Sequence, residues 1–322
     1  MIPSKDKLVI CFAHVAYQMQ ACFDALNTGI RCFEVRDRAE FERRAPEADV
    51  IVVSGMWHNG IIPLAAKLQF IQAIGSGTDQ FDKEALAARG VRLASAAGVN
   101  ARAVSEHAMA LILAMSRRLP EARDNQARRF WRGMIGDLTQ REDELTGKTV
   151  LIVGLGRIGG RLAQLAKAFE MKVVGFRQNP AAGREAADAV YGLAELPAHL
   201  PDADFVVLTC PLVAETRGLI NAKTLGLMRP SAFLVNAARG GCVVEADLVA
   251  ALQGGRIAGA ALDVTDPEPP EEHSPLWAMP NVFITPHTGG ETRKYEANVI
   301  DILMENLSRM WSGEGVLRNQ VV

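Results

Sequence analysis

Residues 149–177, TVLIVGLGRIGGRLAQLAKAFEMKVVGFR, restrict the folds open to this 322-residue chain more than any other stretch. The β-branched run Thr149–Val153 reads as a buried parallel strand. It leads into Gly154-Leu155-Gly156-Arg157-Ile158-Gly159, a GxGxxG motif. Behind the motif, Ile158, Leu162, Leu165, Ala166 and Phe169 recur at helical spacing, and Lys172–Phe176 is a second apolar run. Glycine-rich turns are common, so the motif alone says little. Strand, motif, amphipathic helix and second strand in immediate succession make a βαβ unit, and that is specific.

Each glycine then has its own task. Gly154 permits the tight turn, Gly156 lets the backbone approach a pyrophosphate, and Gly159 lets the helix pack closely on the strand. The free N–H groups and positive dipole end at the helix start favour a diphosphate there. Where the second strand closes, such sites usually carry Asp or Glu to accept from the adenosine ribose hydroxyls. This chain has Arg177, then Gln178 and Asn179, with Arg184 further along. A guanidinium suits a 2′-phosphate through paired, charge-assisted hydrogen bonds. NADP(H) is therefore the expected cofactor, with NAD(H) as the alternative; a solvated surface Arg is the bland reading.

Length allows two cores of ordinary domain size. A hydrophobic fraction of 49% and a charged fraction of 22% are those of a soluble globular protein. A net charge of −2 gives no reason to expect nucleic acid or an anionic membrane as partner. No segment approaches a membrane span, and the opening MIPSKDKLVICFA lacks a signal-peptide layout. Cys11, Cys22, Cys32, Cys210 and Cys242 form no CxxC, and free thiols in a reducing cytoplasm are expected.

The first hundred residues read as an α/β layer of their own. Apolar runs at 8–13, 31–35, 50–54, 70–74 and 91–94 alternate with helical stretches such as 16–27 and 83–89. This alternation implies a parallel sheet covered on both faces. Its strand-end loops include Ser54-Gly55-Met56-Trp57-His58-Asn59 and Gly75-Ser76-Gly77-Thr78-Asp79. The glycines around Ser76 either expose backbone N–H groups to an anion such as a carboxylate or form a plain tight turn. In 98–119 the pattern becomes one helical stripe of Val104, Ala108, Leu111, Ile112 and Met115, with Asn100 near its start. The first crossover between domains belongs here. Residues 120–146 read as a charged helical arm, whose Phe130 and Trp131 either meet a second copy of the chain or pack on their own subunit.

Further strands at 205–210, 232–237, 257–264 and 282–285, with a helix at Glu245–Gln253, complete a doubly wound sheet of six or seven strands. Glu170 occupies a helix end where a left-handed Gly is preferred, so the helix ends another way or the residue is mildly strained. Three strand-end segments hold the chemistry: Asn236-Ala237-Ala238-Arg239-Gly240-Gly241, Asp263-Val264-Thr265-Asp266-Pro267-Glu268-Pro269 and Thr285-Pro286-His287-Thr288-Gly289-Gly290. Reduction of a keto acid needs such a set. An Arg grips the carboxylate and polarises the keto oxygen, and a His delivers a proton to that oxygen. A carboxylate orients the imidazole and favours its protonated form.

The chain resembles the D-isomer-specific 2-hydroxyacid dehydrogenases, the family that includes glyoxylate/hydroxypyruvate reductases, D-lactate and phosphoglycerate dehydrogenases. The resemblance spans essentially the whole length, through GVNARAVSEHAMALILA, GLGRIGGRLA, CPLVAETRGLI, LVNAARGGCVVEADLVAAL, GAALDVTDPEPP and SPLWAMPNVFITPHTGG. It implies Arg239, Glu268 and His287 as catalytic residues. Ser76 and Gly77 would bind the substrate carboxylate, with Asn100 beside substrate and cofactor. Besides the three motif glycines and Arg177, the dinucleotide would be lined by Thr78, Arg157, Ile158, Pro211, Thr216, Ala237, Ala238, Asp263 and Gly290.

The implied fold is α/β with two doubly wound, Rossmann-like domains. A flavodoxin-like substrate domain (1–100 plus 291–322) would carry an inserted NAD(P)-binding domain (101–290), hinging at two crossover helices, the second at 291–312. A homodimer is implied; a metal is not.

His14, His58, His107, His199 and His273 have no metal-ligand spacing and read as structural or solvent-facing. His58 is the exception, since its loop could reach the substrate, with Met56 and Trp57 making a bulky apolar rim. The expected function is an NADP(H)-preferring reductase of small 2-keto acids, glyoxylate or hydroxypyruvate first. Its rivals are an NAD-linked dehydrogenase of a larger or phosphorylated hydroxy acid, and a dinucleotide-sensing binding protein. A phosphorylated substrate calls for Lys or Arg in 54–60 or 75–79, which have none.

Overall fold

A computed structural model describes residues 2–322. The chain divides into two compact units, one formed by residues up to Asn100 together with Thr292–Val322, the other by Ala101–Glu291. Each is a parallel α/β layer, as expected of apolar strand runs separated by helices.

In the first unit the strands are β1 (Val9–Ala13), β2 (Arg31–Val35), β3 (Val50–Val53), β4 (Phe70–Ala73) and β5 (Arg92–Ala94). They stand in the order β2-β1-β3-β4-β5, all parallel. That is the flavodoxin-like doubly wound order. The VIVV of β3 is buried on both faces, so its residues are β-branched without alternation. The helix Tyr295–Trp311 returns to this unit and buries Val299, Ile300, Leu303 and Leu307 in the same cluster as Ile10, Phe12, Val50 and Phe70. One polar pair is sunk into that cluster's edge. Asn306 Nδ2 donates to Gln72 Oε1 (3.1 Å) and to the Arg318 carbonyl (3.2 Å), and its Oδ1 accepts from the Arg318 N–H (2.7 Å). Both side chains are fully buried, so this bonding fixes the returning helix against β4 and the chain's last residues against the helix.

The second unit holds β6 (Thr149–Val153), β7 (Lys172–Phe176), β8 (Ala189–Tyr191), β9 (Phe205–Leu208), β10 (Phe233–Asn236), β11 (Gly259–Leu262) and β12 (Val282–Ile284). Their order is β12-β11-β10-β9-β6-β7-β8, again all parallel. This is the dinucleotide-binding order, with its switch point between β6 and β9. Every strand therefore ends at the same rim. The stripe Val104, Ala108, Leu111, Ile112 and Met115 lies on the helix Ala101–Ser116 and is wholly buried, as its spacing requires.

Some expectations give way. The helix expected over 16–27 is shortened to Met19–Asp24, and the helical arm over 120–146 is helical only in Leu119–Ala127. Beyond it the chain is irregular apart from a 3-10 turn at Leu138–Gln140. Gly133 and Gly136 and the scarcity of buried apolar residues leave nothing to hold a longer helix. Phe169 sits past the last helical turn, 40% exposed rather than on the buried stripe. Glu170 adopts the left-handed conformation (φ 59°), its N–H bonded to Lys167 O and that of Met171 to Ala166 O. The helix thus ends in the usual left-handed cap despite its Cβ. All five cysteines are free thiols.

Asn306→Leu keeps the branching and heavy-atom count of the side chain but strands the Gln72 oxygen and the Arg318 N–H. A loss of about 2 kcal/mol of stability is expected from such orphaned groups, read as a lowered urea midpoint; an unchanged midpoint would show that the bonding contributes nothing.

Candidate active site

The site is built from the carboxyl ends of the second unit's strands. After β6, Gly154 has φ 102°, and a Cβ on it would stand 2.5 Å from the Cys210 nitrogen beyond β9. Thr209 Oγ1 donates to the Gly154 carbonyl across the same gap (2.9 Å). Gly159 is closer still: a Cβ there would run into the Gly154 carbonyl. Gly156 is different. It begins the helix Arg157–Ala168 in extended conformation, and nothing stands within 4 Å of where its Cβ would be. Two glycines thus close the strand–helix corner and the middle one leaves open space before a helix N-terminus. That arrangement fits the diphosphate of a nicotinamide dinucleotide.

Around the rim, β9 leads to Pro211 and Thr216. The Thr216 hydroxyl donates to the Pro211 carbonyl (2.7 Å) and accepts from the Val213 N–H (2.9 Å), which fixes this loop. After β10, Ala237 and Ala238 are buried and the Ala238 N–H donates to Asn236 Oδ1. Arg239 follows, exposed, with Nη1 donating to the Ala238 carbonyl (2.7 Å). The next residue, Gly240, presses so closely on the Thr265 carbonyl that no Cβ could fit. The Arg239 turn and the loop carrying Glu268 are thereby packed together.

Glu268 and His287 meet. His287 Nδ1 lies 2.5 Å from Glu268 Oε1, both side chains about half exposed. An ionised carboxylate can only accept, so Nδ1 carries the proton and Nε2 is the nitrogen left for proton exchange. Among the described residues no hydrogen bond or ion pair joins Arg239 to either of them, although its strand-end turn packs on the loop carrying Glu268.

His287 is left-handed, with φ 53°. Such a conformation costs a non-glycine residue about 1 kcal/mol or more and needs outside support. Asp263 at the end of β11 supplies it. Its carbonyl accepts from the His287 N–H (2.9 Å), while its carboxylate accepts from the N–H groups of Thr288 (3.1 Å) and Gly289 (3.0 Å). Thr285 Oγ1 also donates to that carboxylate (2.7 Å). Having given its only proton, the Thr285 hydroxyl accepts from His107 Nε2 at 2.9 Å, and the same nitrogen is 3.3 Å from Asp263. Burial pushes the Asp263 carboxyl up, but the bonds from His107, Thr285 and Gly289 outweigh it and hold it below the usual value.

Ser76 and Gly77 lie in an exposed loop after β4, Thr78 is buried beside them, and Asn100 is half-buried immediately before the helix Ala101–Ser116. Met56 and Trp57 are 5% and 4% exposed and belong to the first unit's core, with the Trp57 ring against Phe81. They form no bulky rim. His58 lies 3.0 Å from Glu42, and Arg177 is paired with Glu185.

A family model described as "D-isomer specific 2-hydroxyacid dehydrogenase, NAD binding domain" matches residues 109–289. The chain belongs to the D-isomer specific 2-hydroxyacid dehydrogenase family. It is 36% identical over 289 residues to a D-3-phosphoglycerate dehydrogenase of Archaeoglobus fulgidus, covering 88% of this chain and 53% of that protein. The chain thus spans about half the length of the curated phosphoglycerate dehydrogenases it matches. Solved structures cover it more fully. A Thermus thermophilus protein is similar with TM-score 0.83 and 32% identity over 97% of this chain and all of that one. A D-isomer specific 2-hydroxyacid dehydrogenase family protein of Aeromonas salmonicida gives TM-score 0.84 and 28% identity over 98% and 99% of the two chains.

In this 2-hydroxyacid dehydrogenase family member, His107 is the residue that the histidine reading passed over. Set early in a core helix, it looked structural; only the fold reveals that its ring reaches the carboxylate holding the His287 loop. Asp263→Ala removes that carboxylate. The amides of Thr288 and Gly289 should then exchange with deuterium at least about tenfold faster, since a bond to a charged acceptor contributes roughly 1.5–3 kcal/mol. Unchanged exchange would show that something else holds the loop.

Proposed function

We propose that this chain interconverts a 2-keto acid and its D-2-hydroxy acid by hydride transfer. The observation that carries the reading is the His287–Glu268 pair on the rim that also bears the GxGxxG turn and Arg239. When bound, the nicotinamide ring supplies hydride to the keto carbon. His287 Nε2 delivers the proton to the keto oxygen and takes it back in the reverse direction. Glu268 holds the ring through Nδ1 and favours the imidazolium that must form. Arg239 releases its neighbour's carbonyl to grip the substrate carboxylate and polarise the keto oxygen. On the substrate side, Ser76 and Gly77 contribute backbone N–H groups to that carboxylate and Asn100 a side-chain amide.

Residues 1–100 with 291–322 serve as substrate domain in this reading, and 101–290 as dinucleotide domain. Gly154, Gly156, Gly159, Arg157 and Ile158 take the diphosphate side, and Thr78, Pro211, Thr216, Ala237, Ala238, Asp263 and Gly290 the remainder of the nucleotide. Arg177 supports acceptance of NADP(H) alongside NAD(H). Phe130, Trp131 and Met134, which are 59%, 95% and 102% exposed, support a homodimer through the arm. The chain acts in the cytoplasm, a setting that suits five free thiols.

Two substrate readings divide on separate observations. Similarity to D-3-phosphoglycerate dehydrogenases supports a larger or phosphorylated hydroxy acid and is the stronger support. The absence of Lys and Arg from 54–60 and 75–79 supports small, unphosphorylated acids such as glyoxylate or hydroxypyruvate. Steady-state turnover of phosphohydroxypyruvate, hydroxypyruvate and glyoxylate separates them. A kcat/KM at least about tenfold higher for the phosphorylated acid favours the first, the reverse order favours the second, and no turnover of any 2-keto acid overturns the function.

Removing the proton donor tests the mechanism. His287→Ala should lower kcat by about a hundredfold or more, the usual scale of acid–base catalysis, with nucleotide binding retained. Undiminished kcat would eliminate the assigned role.

A further inference from the structure

Arg177 stands at the end of β7, where a dinucleotide fold ordinarily places the carboxylate that receives the adenosine ribose. The guanidinium there is not free. Its Nη1 donates to the Gly183 carbonyl (3.0 Å) and to both carboxylate oxygens of Glu185 (3.3 and 3.2 Å). The two side chains are 21% and 33% exposed.

Glu185 reaches this place by an uncommon route. It has φ 48°, in an irregular segment between the 3-10 turn Pro180–Ala182 and β8. A long side chain in the left-handed region is unusual and carries strain. What the conformation achieves is contact with the glycine-motif helix: a Cβ on Gly160 would stand 2.8 Å from Glu185 Cγ. Gly160 lies in that helix's first turn, its N–H bonded to the Gly156 carbonyl (2.7 Å). The stem of Glu185 therefore crosses the turn that begins at the diphosphate cradle, and its head closes on Arg177. A carboxylate has returned to the ribose corner from eight residues further along the chain.

We propose that Glu185 is the cofactor-selecting residue of this chain. Resting on the dehydrogenase reading above, this assigns two effects to one carboxylate. It offers an acceptor to the 2′-hydroxyl of NAD(H), and it occupies the guanidinium that a 2′-phosphate would need. A 2′-phosphate must displace Glu185 from Arg177 or sit beside a like charge, and both oppose its binding. Arg177 alone favours NADP(H); the pair is restrained by its acidic member.

The test is nucleotide binding to the full chain without keto acid, followed by the fluorescence of NADH and NADPH. Glu185→Gln keeps the stem and removes the charge, and the ratio of the two dissociation constants should move about tenfold towards NADPH. The displacement should shrink at high salt, as a partly exposed charge effect does. Glu185→Gly, which suits the left-handed backbone, should shift the ratio the same way, so a folding defect peculiar to one variant leaves the question answerable. A shift below threefold in both, or one towards NADH, overturns the proposal. Failure of the dehydrogenase reading looks different: the variants would shift the nucleotide ratio as described, yet the wild-type chain would reduce no 2-keto acid.

Discussion

The carboxylate of Asp263 is the anchor on which the candidate chemistry depends. A histidine that must meet a glutamate nineteen residues earlier in the chain is carried here on a left-handed turn. Left to itself that turn would relax, because the conformation opposes a side chain with a Cβ. Asp263 opposes the relaxation with two backbone N–H groups on its oxygens and a third on its own carbonyl. Thr285 and His107 complete its hydrogen bonding, so a buried charge is compensated by several donors. The parallel sheet makes this possible. β11 and β12 are neighbours ending at one rim, and the residues just past both ends fall within reach of each other.

Much of this was legible before any coordinates. Parallel strands buried on both faces leave continuous apolar runs, so every strand but one lies within an expected segment. The exception, β8, has three residues, all half-buried, at the sheet's edge. An edge strand that short buries too little to leave a pattern. The helix lengths erred for a related reason. Propensity continues across 16–27 while burial, which decides where a helix is held, stops earlier, and in 120–146 Gly133 and Gly136 interrupt the propensity as well. Glu170 is an odd residue for a helix end by its sequence, and its left-handed cap shows how the chain accommodates it.

At the site the sequence conveyed residue types better than partners. The tight strand–helix corner at Gly154 and Gly159 follows from the motif's spacing, and the contacts a Cβ would meet at those two positions agree with it. His107, Met56 and Trp57 were weighed by their own character, and their surroundings reversed the reading of the last two. A tryptophan next to a loop glycine looks available to a ligand until its ring is found on Phe81. No local pattern announces such packing, because Phe81 comes from a different segment.

The corner beyond β7 carries the same lesson in electrostatic form. One residue at the strand end, Arg177, gives the site a formal positive charge, and a selector fixed by sequence position would stop there. A second residue of opposite sign, Glu185, in a left-handed conformation, pairs with that charge. The two arrangements differ in kind. Both carboxylates can only accept, but one rooted at the strand end is held by the sheet, whereas Glu185 is held by an ion pair to the group it opposes. Such a pair, its members 21% and 33% exposed, is weakened by salt and by any anion able to compete for the guanidinium. On the proposed basis selectivity is a competition between two anions, a carboxylate and a 2′-phosphate, for one Arg. That balance is finer than the one set by a single fixed charge.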